Sequence, residues 1–121
     1  MTTKFPCPSC GHLVFDEATG SDGICPVCLW QDDLFGLLTP FEAIGPNKVS
    51  LFDAQVNVLA HGVSHLDCLE RRQKPKLSYQ RDLGWRPIDK RADRFLDDST
   101  YPPDETKVYY WRDDYWLASK S

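Results

Sequence analysis

A chain of 121 residues, of which 41% are hydrophobic, is long enough for one domain with a modest core. Its net charge of −4 does not favour binding to a nucleic acid backbone, which needs a basic surface, but is compatible with a basic protein partner. The chain has no run of about 18 apolar residues, and its N-terminus lacks the apolar stretch of a signal peptide, so we expect a cytoplasmic protein without membrane contact.

Two Cys-x-x-Cys pairs lie near the N-terminus, Cys7 with Cys10 and Cys25 with Cys28. Four thiolates at this spacing are typical of a structural Zn²⁺ site, because zinc takes four soft ligands at the corners of a tetrahedron. Two redox dithiols or two disulfides are the alternatives. We predict one structural Zn²⁺ bound by all four cysteines. A fifth cysteine, Cys68, is expected to be a buried small apolar residue.

The residues around the cysteines are those of tight turns. Pro8 and Pro26 each follow the first cysteine of a pair and pre-set φ for the turn. Gly11 follows Cys10 and can take a positive φ that ends such a knuckle. With a short strand at 13–15, residues 1–35 are predicted to form a zinc-ribbon-like module.

A loop over 36–48 is expected to lead into a helical segment over 50–72. Ser50 is a suitable N-cap for the first helix, and Gly62 is a suitable C-cap. A second, shorter helix is expected from His65 to about Arg72, with Leu66 and Leu69 facing inward. The apolar face of the first helix is predicted to comprise Leu51, Phe52, Ala54, Gln55, Val58 and Leu59.

The remainder of the chain contains an irregular segment over 73–106, first basic and then acidic, and an aromatic β-hairpin over 107–118. The predicted fold class is therefore α+β. We expect a single domain over 1–121, in which the small Cys₄ zinc-ribbon-like N-terminal module packs with one or two helices and a C-terminal β-hairpin.

A resemblance to a known family rests on motifs at 7–11, 24–33 and 45–51, together with Ala54 and Asn57. In order and residue type, these resemble the bacterial cysteine-rich CPCC domain family over about residues 4–90. The first motif of that family reads Cys-Pro-Cys-Cys-Gly, whereas this chain has Ser9 at the third position. The resemblance implies a small cytoplasmic zinc-binding protein. Some family members are encoded near polymorphic toxins and are suspected immunity proteins.

Catalysis is not expected. Asp32 and Asp33 follow the second pair directly, and could act as a general base or bind a divalent ion, but paired acids more often cap or pair locally. His61 and His65 have the spacing of a zinc protease motif without its glutamate, and Gly62 lies between them. Four thiolates also leave no open coordination position on a zinc ion.

We therefore predict a binding protein that neutralises a cognate bacterial toxin, with a nuclease as one candidate. Carboxylates suit a basic active site, and Tyr and Trp are enriched at interface hot spots. The candidate partner-binding residues are Asp97, Asp98, Asp104, Glu105, Tyr109, Trp111, Asp113, Asp114 and Trp116.

The alternative is a nucleic-acid-binding zinc ribbon that uses residues 71–94. Residues 61–94 hold nine basic and five acidic residues, so this part of the chain is basic. Cations interleaved with aromatic rings can follow phosphates and stack bases. The residues concerned are Arg71, Arg72, Lys74, Lys76, Tyr79, Arg81, Trp85 and Arg86.

Overall fold

The computed structural model of the chain describes residues 4–43, 46–71, 80–91, 93, 108–112 and 115. Within these residues the elements, in chain order, are strands β1 (Phe5–Pro6) and β2 (Leu13–Phe15), helices α1 (Leu34–Leu38) and α2 (Leu51–His61), and a 3-10 helix (Leu66–Arg71). None of the described helices combines the length and the apolar composition that a bilayer crossing requires.

Strands β1 and β2 form an antiparallel hairpin that carries the first cysteine pair. Phe5 pairs with Phe15, so the connection between the strands holds the knuckle. The segment at 80–82 lies along the same connection, where Leu13 N donates to Gln80 O at 2.7 Å and Asp82 N donates to Gly11 O at 2.7 Å. The strand predicted at 13–15 is therefore confirmed, and a distant part of the chain supports it.

Helix α1 begins shortly after the second knuckle, at Leu34, and extends into the segment that the sequence predicted as a loop from residue 36. Asp33 is its N-cap, and the Asp33 carboxylate accepts a hydrogen bond from Gly36 N at 3.2 Å. Leu37 and Leu38 are buried in the core. One turn of helix is too short to give a periodic pattern in the sequence, which explains why the loop prediction missed it.

Helix α2 has the predicted start and end. The Ser50 hydroxyl accepts from Asp53 N at 3.1 Å, and Gly62 ends the helix with a φ of +82°. The buried face is narrower than predicted, because Leu59 is 67% exposed. The second helix is a 3-10 helix rather than an α-helix, and Leu66, expected to face inward, is half exposed.

The core joins the cysteine cluster to residues of β2, the second knuckle, both α-helices and the segments near residues 88 and 108–115. It includes the buried side chains of Phe15, Val27, Trp30, Leu37, Leu38, Leu51, Ala54, Ile88, Val108, Tyr109, Tyr110, Trp111 and Tyr115. The cysteines therefore lie inside the hydrophobic core rather than on a separate surface module.

The prediction of a C-terminal β-hairpin is wrong for the residues that the structure describes. The 108–111 segment forms no strand, and turns follow it, with Arg112 N donating to Tyr109 O and Tyr115 N donating to Arg112 O, both at 3.1 Å. All four residues of 108–111 are buried. A strand with one solvent-facing side exposes alternate side chains, so four consecutive buried residues favour an irregular path through the core.

Candidate metal centre

The first cysteine pair forms a tight knuckle at the end of the β1–β2 hairpin. Cys7 N donates to His12 O at 2.9 Å, and Gly11 N donates to Cys7 O at 2.6 Å. Gly11 has a φ of +80°, as predicted from its position after Cys10. This backbone path turns both sulfurs of the pair to the same side.

The second pair repeats the same local structure. Cys25 N donates to Trp30 O at 2.8 Å, and Leu29 N donates to Cys25 O at 2.9 Å. Leu29 occupies the position that Gly11 has in the first knuckle, and it also has a positive φ, +69°. The two Cys-Pro-x-Cys segments therefore form the same type of turn. The second turn lies between Ile24 and Gln31, which form an antiparallel β-bridge.

The four sulfur atoms come together in one cluster, and all of them lie within 4.8 Å of one another. The Cys7 and Cys28 sulfurs are 3.6 Å apart, and the Cys10 and Cys25 sulfurs are 3.7 Å apart. A disulfide would need about 2.05 Å, so these cysteines are free thiols. A tetrahedron with metal–sulfur bonds of about 2.3 Å has edges of about 3.8 Å, so the cluster can hold one metal ion.

Burial sets the electrostatics of the cluster, because all four cysteines have no solvent exposure. Burial raises the pKa of the Cys7 thiol, and contact with the Cys25 sulfur raises the pKa of Cys10. Burial also acts to raise the pKa of Cys28, but hydrogen bonds from the other three cysteines and from Ser64 outweigh it and lower that pKa. Close contact among the four sulfurs thus favours the deprotonated form of at least one thiol, and a bound cation would favour that form in all four.

Backbone N–H groups and one histidine also lie within hydrogen-bond distance of the sulfurs. Val27 N and Cys28 N donate to the Cys25 sulfur at 3.3 and 3.5 Å. The Nδ1 atom of His12 lies 3.3 Å from the Cys10 sulfur and donates to it when that nitrogen carries the proton. These donors disperse the negative charge that four thiolates bring to a buried site.

A family model described as cysteine-rich CPCC matches residues 5–78. The chain belongs to this family. The match confirms the resemblance found in the sequence, and it includes the four cysteines, both α-helices and the 3-10 helix. The segments at 80–91 and 108–112, which complete the core, lie beyond the matched range. No curated protein matches the chain.

The acidic pair after the second knuckle serves the fold of this cysteine-rich CPCC protein. Asp33 caps α1, whereas Asp32 is fully buried. The Asp32 carboxylate accepts from Thr19 Oγ1 at 3.0 Å and from Ser21 N and Ser21 Oγ at 3.1 and 2.7 Å. Burial raises the pKa of Asp32, while the hydrogen bonds from Ser21 and Thr19 oppose that rise. Asp32 thus stabilises the loop that contains Thr19 and Ser21, before the second knuckle.

The two histidines with protease spacing do not join a metal site. The Nδ1 atom of His65 accepts from Asp67 N at 3.0 Å, and His61 lies at the exposed end of α2. Within the described part of the chain, the four cysteines are the one group of His, Cys, Asp and Glu side chains close enough to hold a metal ion.

Two described cations of the basic segment make contacts within the protein. Arg81 Nε donates to Cys10 O at 3.1 Å, and its guanidinium lies 5.4 Å from the centre of a Trp85 ring. Arg86 donates to Asp93 at 2.7 Å. The nucleic acid alternative stays a prediction. The predicted contacts Arg72, Lys74, Lys76 and Tyr79 lie outside the described residues, as does the side chain of Arg71.

Of the predicted partner-binding residues, the structure describes two, and both are buried. Tyr109 accepts from Thr19 N at 3.0 Å through its hydroxyl, and Trp111 donates to the Asp82 carboxylate at 2.8 Å. Their side chains are 1% and 8% exposed, which corrects the expectation that they form a contact surface. Asp97, Asp98, Asp104, Glu105, Asp113, Asp114 and Trp116 lie outside the described residues.

Two residues that hold the first knuckle were not recognised from the sequence. Gln55 Nε2 and Trp85 Nε1 both donate to the carbonyl oxygen of Pro8, at 2.9 and 3.1 Å. The one sequence signal was a polar residue, Gln55, on the buried face of a helix. No local pattern connects Trp85 to a residue 77 positions earlier.

Gly11→Ala is expected to lower the free energy of unfolding by about 2–4 kcal/mol, because it combines a left-handed backbone with overpacking. An added Cβ would lie 2.5 Å from a ring atom of Trp85, and the φ is positive. Leu29→Gly at the equivalent position is the matched control, and its effect should stay within about 1 kcal/mol, since relieved strain offsets added chain entropy. Urea denaturation of the metal-loaded protein measures the free energy of unfolding of both variants. Equal losses of stability in Gly11→Ala and Leu29→Gly would contradict the expectation.

Proposed function

We propose that the four cysteines bind one structural Zn²⁺ and that this ion fixes a zinc-ribbon-like module inside the core. The observation that carries the proposal is the set of four buried sulfurs at tetrahedral separations. Soft thiolate ligands in this geometry select zinc or an iron–sulfur centre among common metals, and the two knuckles leave the ligand shell closed.

The proposed role of the metal is structural and not catalytic. Catalytic zinc keeps one position for water or substrate, and four protein thiolates leave none. The two acids that follow the second knuckle in sequence, Asp32 and Asp33, accept hydrogen bonds that order a loop and cap a helix. Thiolate ligands must stay reduced, so we propose a cytoplasmic location.

The proposed biological role is binding and neutralising a cognate bacterial toxin. It is supported by the family resemblance and the acidic net charge. The acidic residues 97, 98, 104, 105, 113 and 114 remain the proposed contacts.

The identity of the metal is tested by elemental mass spectrometry of the protein purified without added metal. One zinc per chain is expected, and a Cys25→Ser variant should lose it. Iron with sulfide in place of zinc would contradict the proposed metal, while an absence of any metal would contradict the proposed site.

The partner role is tested by affinity capture from a lysate of the source organism, at physiological salt, with the zinc-loaded chain as bait. The Cys25→Ser variant serves as the matched control. A captured protein should lose its toxic activity when the chain is added at equal concentration. A captured protein whose activity is unchanged, or retention of the chain on nucleic acid instead, would contradict the immunity role.

A further inference from the structure

A pocket lies beside the second knuckle, where three segments of the chain meet. Residues from 24–31, 46–49 and 64–67 line it. Its cavity volume is about 220 Å³, which is room for about seven water molecules. Pockets for drug-sized ligands have volumes of about 300–1,000 Å³, so this one suits a smaller molecule.

Hydrogen bonds hold the three segments in place, so the pocket is pre-formed. Asn47 Oδ1 accepts from Gln31 N at 3.0 Å, and Asn47 Nδ2 donates to Gln31 O at 2.8 Å. Ser64 N donates to Cys28 O at 2.9 Å, and Ser64 O accepts from Asn57 Nδ2 at 2.9 Å. A ligand that enters the pocket therefore does not have to order these loops, which lowers the entropy cost of binding.

An apolar wall of the pocket, formed by Ile24, Leu29 and Val49, includes a strained residue. Leu29 has a φ of +69°, a conformation that disfavours any residue with a Cβ. Glycine has the equivalent position in the first knuckle and adopts this conformation without strain. Backbone strain in a folded protein is concentrated at functional sites. The turn alone would favour glycine, so the leucine is explained by the pocket that its side chain lines.

The polar lining of the pocket carries both signs of charge. Asp67 Oδ2 lies 3.5 Å from Lys48 Nζ and 3.5 Å from His65 Nδ1. The Lys48 and Asp67 side chains are 72% and 68% exposed, so their ion pair contributes little and both groups can turn to a ligand. His65 Nδ1 accepts from Asp67 N at 3.0 Å, so the neutral ring carries its proton on Nε2, which can donate to an anion.

We infer that the pocket binds a free α-amino acid with an apolar side chain, such as leucine. The α-carboxylate accepts from Lys48 and His65, the α-ammonium group donates to Asp67, and the side chain lies against the apolar wall. A ligand with one charge would leave Lys48 or Asp67 without a ligand group of opposite charge, and an uncharged ligand would leave both. The inference goes beyond the proposed function and does not depend on the partner role.

The test is an NMR titration of the metal-loaded protein, in which the backbone amide signals report binding. Leucine should shift the amide signals of Leu29, Val49 and His65 with a dissociation constant of about 1 mM or lower. Glycine keeps both charges but lacks the side chain, N-acetyl-leucine lacks the ammonium charge, and leucinamide lacks the carboxylate. Each of these three probes should bind at least about tenfold more weakly than leucine.

Two charge variants test the roles of the polar groups. Asp67→Asn should bind N-acetyl-leucine as well as leucine, and Lys48→Gln should bind leucinamide as well as leucine, because the missing charge no longer has a partner in the pocket. A purely structural role for Asp67 or Lys48 would leave the order of the probes unchanged.

Leu29→Gly removes part of the apolar wall while keeping the backbone of the turn, and it should weaken leucine binding by about tenfold. Leu83→Ala is the matched control, because Leu83 is fully exposed outside the pocket, and it should keep the wild-type affinity.

Three results would overturn the inference. The first is the absence of leucine-induced shifts at the amides of the pocket. The second is equal binding of leucine and N-acetyl-leucinamide, which has neither charge, because this would assign the pocket to an apolar side chain of a protein partner. The third is a wild-type order of the probes in both Asp67→Asn and Lys48→Gln.

Discussion

Removal of the metal by a chelator should unfold the chain at room temperature. Structural zinc contributes apparent free energies of about 10–16 kcal/mol in small zinc-binding peptides, which is as large as the whole stability of a typical domain. In this protein the site lies within the core, where all four cysteines are buried with Trp30, Leu37 and Leu51. Loss of the ion would leave like-charged or poorly bonded sulfurs at the centre of that core, so unfolding should not stay confined to the knuckles.

Far-ultraviolet circular dichroism during chelation measures this effect, and the α2 signal should be lost together with the metal. Cys25→Ala should reproduce the loss without a chelator. Cys68→Ser changes the fifth cysteine and should keep one metal per chain. A metal-free chain that retained its helical signal and its cooperative thermal transition would show that the cysteine cluster is not what holds the fold.

The parts of the site that could be predicted from sequence are those set by local chemistry. A cysteine, a proline and a second cysteine within four positions specify a knuckle whatever the rest of the chain does. Gly11 indicated a positive φ, because glycine adopts it without strain. Leu29 has the same backbone conformation, but its residue type gives no such indication. The equivalence of the two knuckles became visible only in their hydrogen bonds.

The parts that could not be predicted depend on contacts between distant residues. The 108–111 segment has the composition of a strand, yet all four of its residues are buried, and Tyr110 and Trp111 make hydrogen bonds to the 80–88 segment. The hairpin prediction relied on runs of aromatic and β-branched residues, and that composition does not distinguish a strand from an irregular buried segment. The same distance in sequence concealed the role of Trp85, whose indole reaches the first knuckle from beyond residue 80.

Gln55 connects these distant segments, and its replacement by Ala should lower the free energy of unfolding by about 3–5 kcal/mol. It is 2% exposed. Its Nε2 donates to Pro8 O at 2.9 Å and to the Tyr110 hydroxyl at 2.8 Å, while its Oε1 accepts from Ile88 N at 2.8 Å. The loss is large because Ile88 N becomes a buried donor without a partner and the removed side chain leaves a cavity.

Urea denaturation of the metal-loaded protein measures the effect of Gln55→Ala, with Gln31→Ala as the control. Gln31 makes one side-chain hydrogen bond, at 3.4 Å to the carbonyl of Asp22, so its loss should cost no more than about 0.5 kcal/mol. Gln55→Glu keeps the acceptor for Ile88 N but loses the amide donors. Burial should raise the pKa of the new carboxyl, so this variant should gain stability as the pH falls, when the protonated group can again donate. Equal losses for Gln55→Ala and Gln31→Ala would mean that Gln55 does not connect the first knuckle to the C-terminal residues of the core.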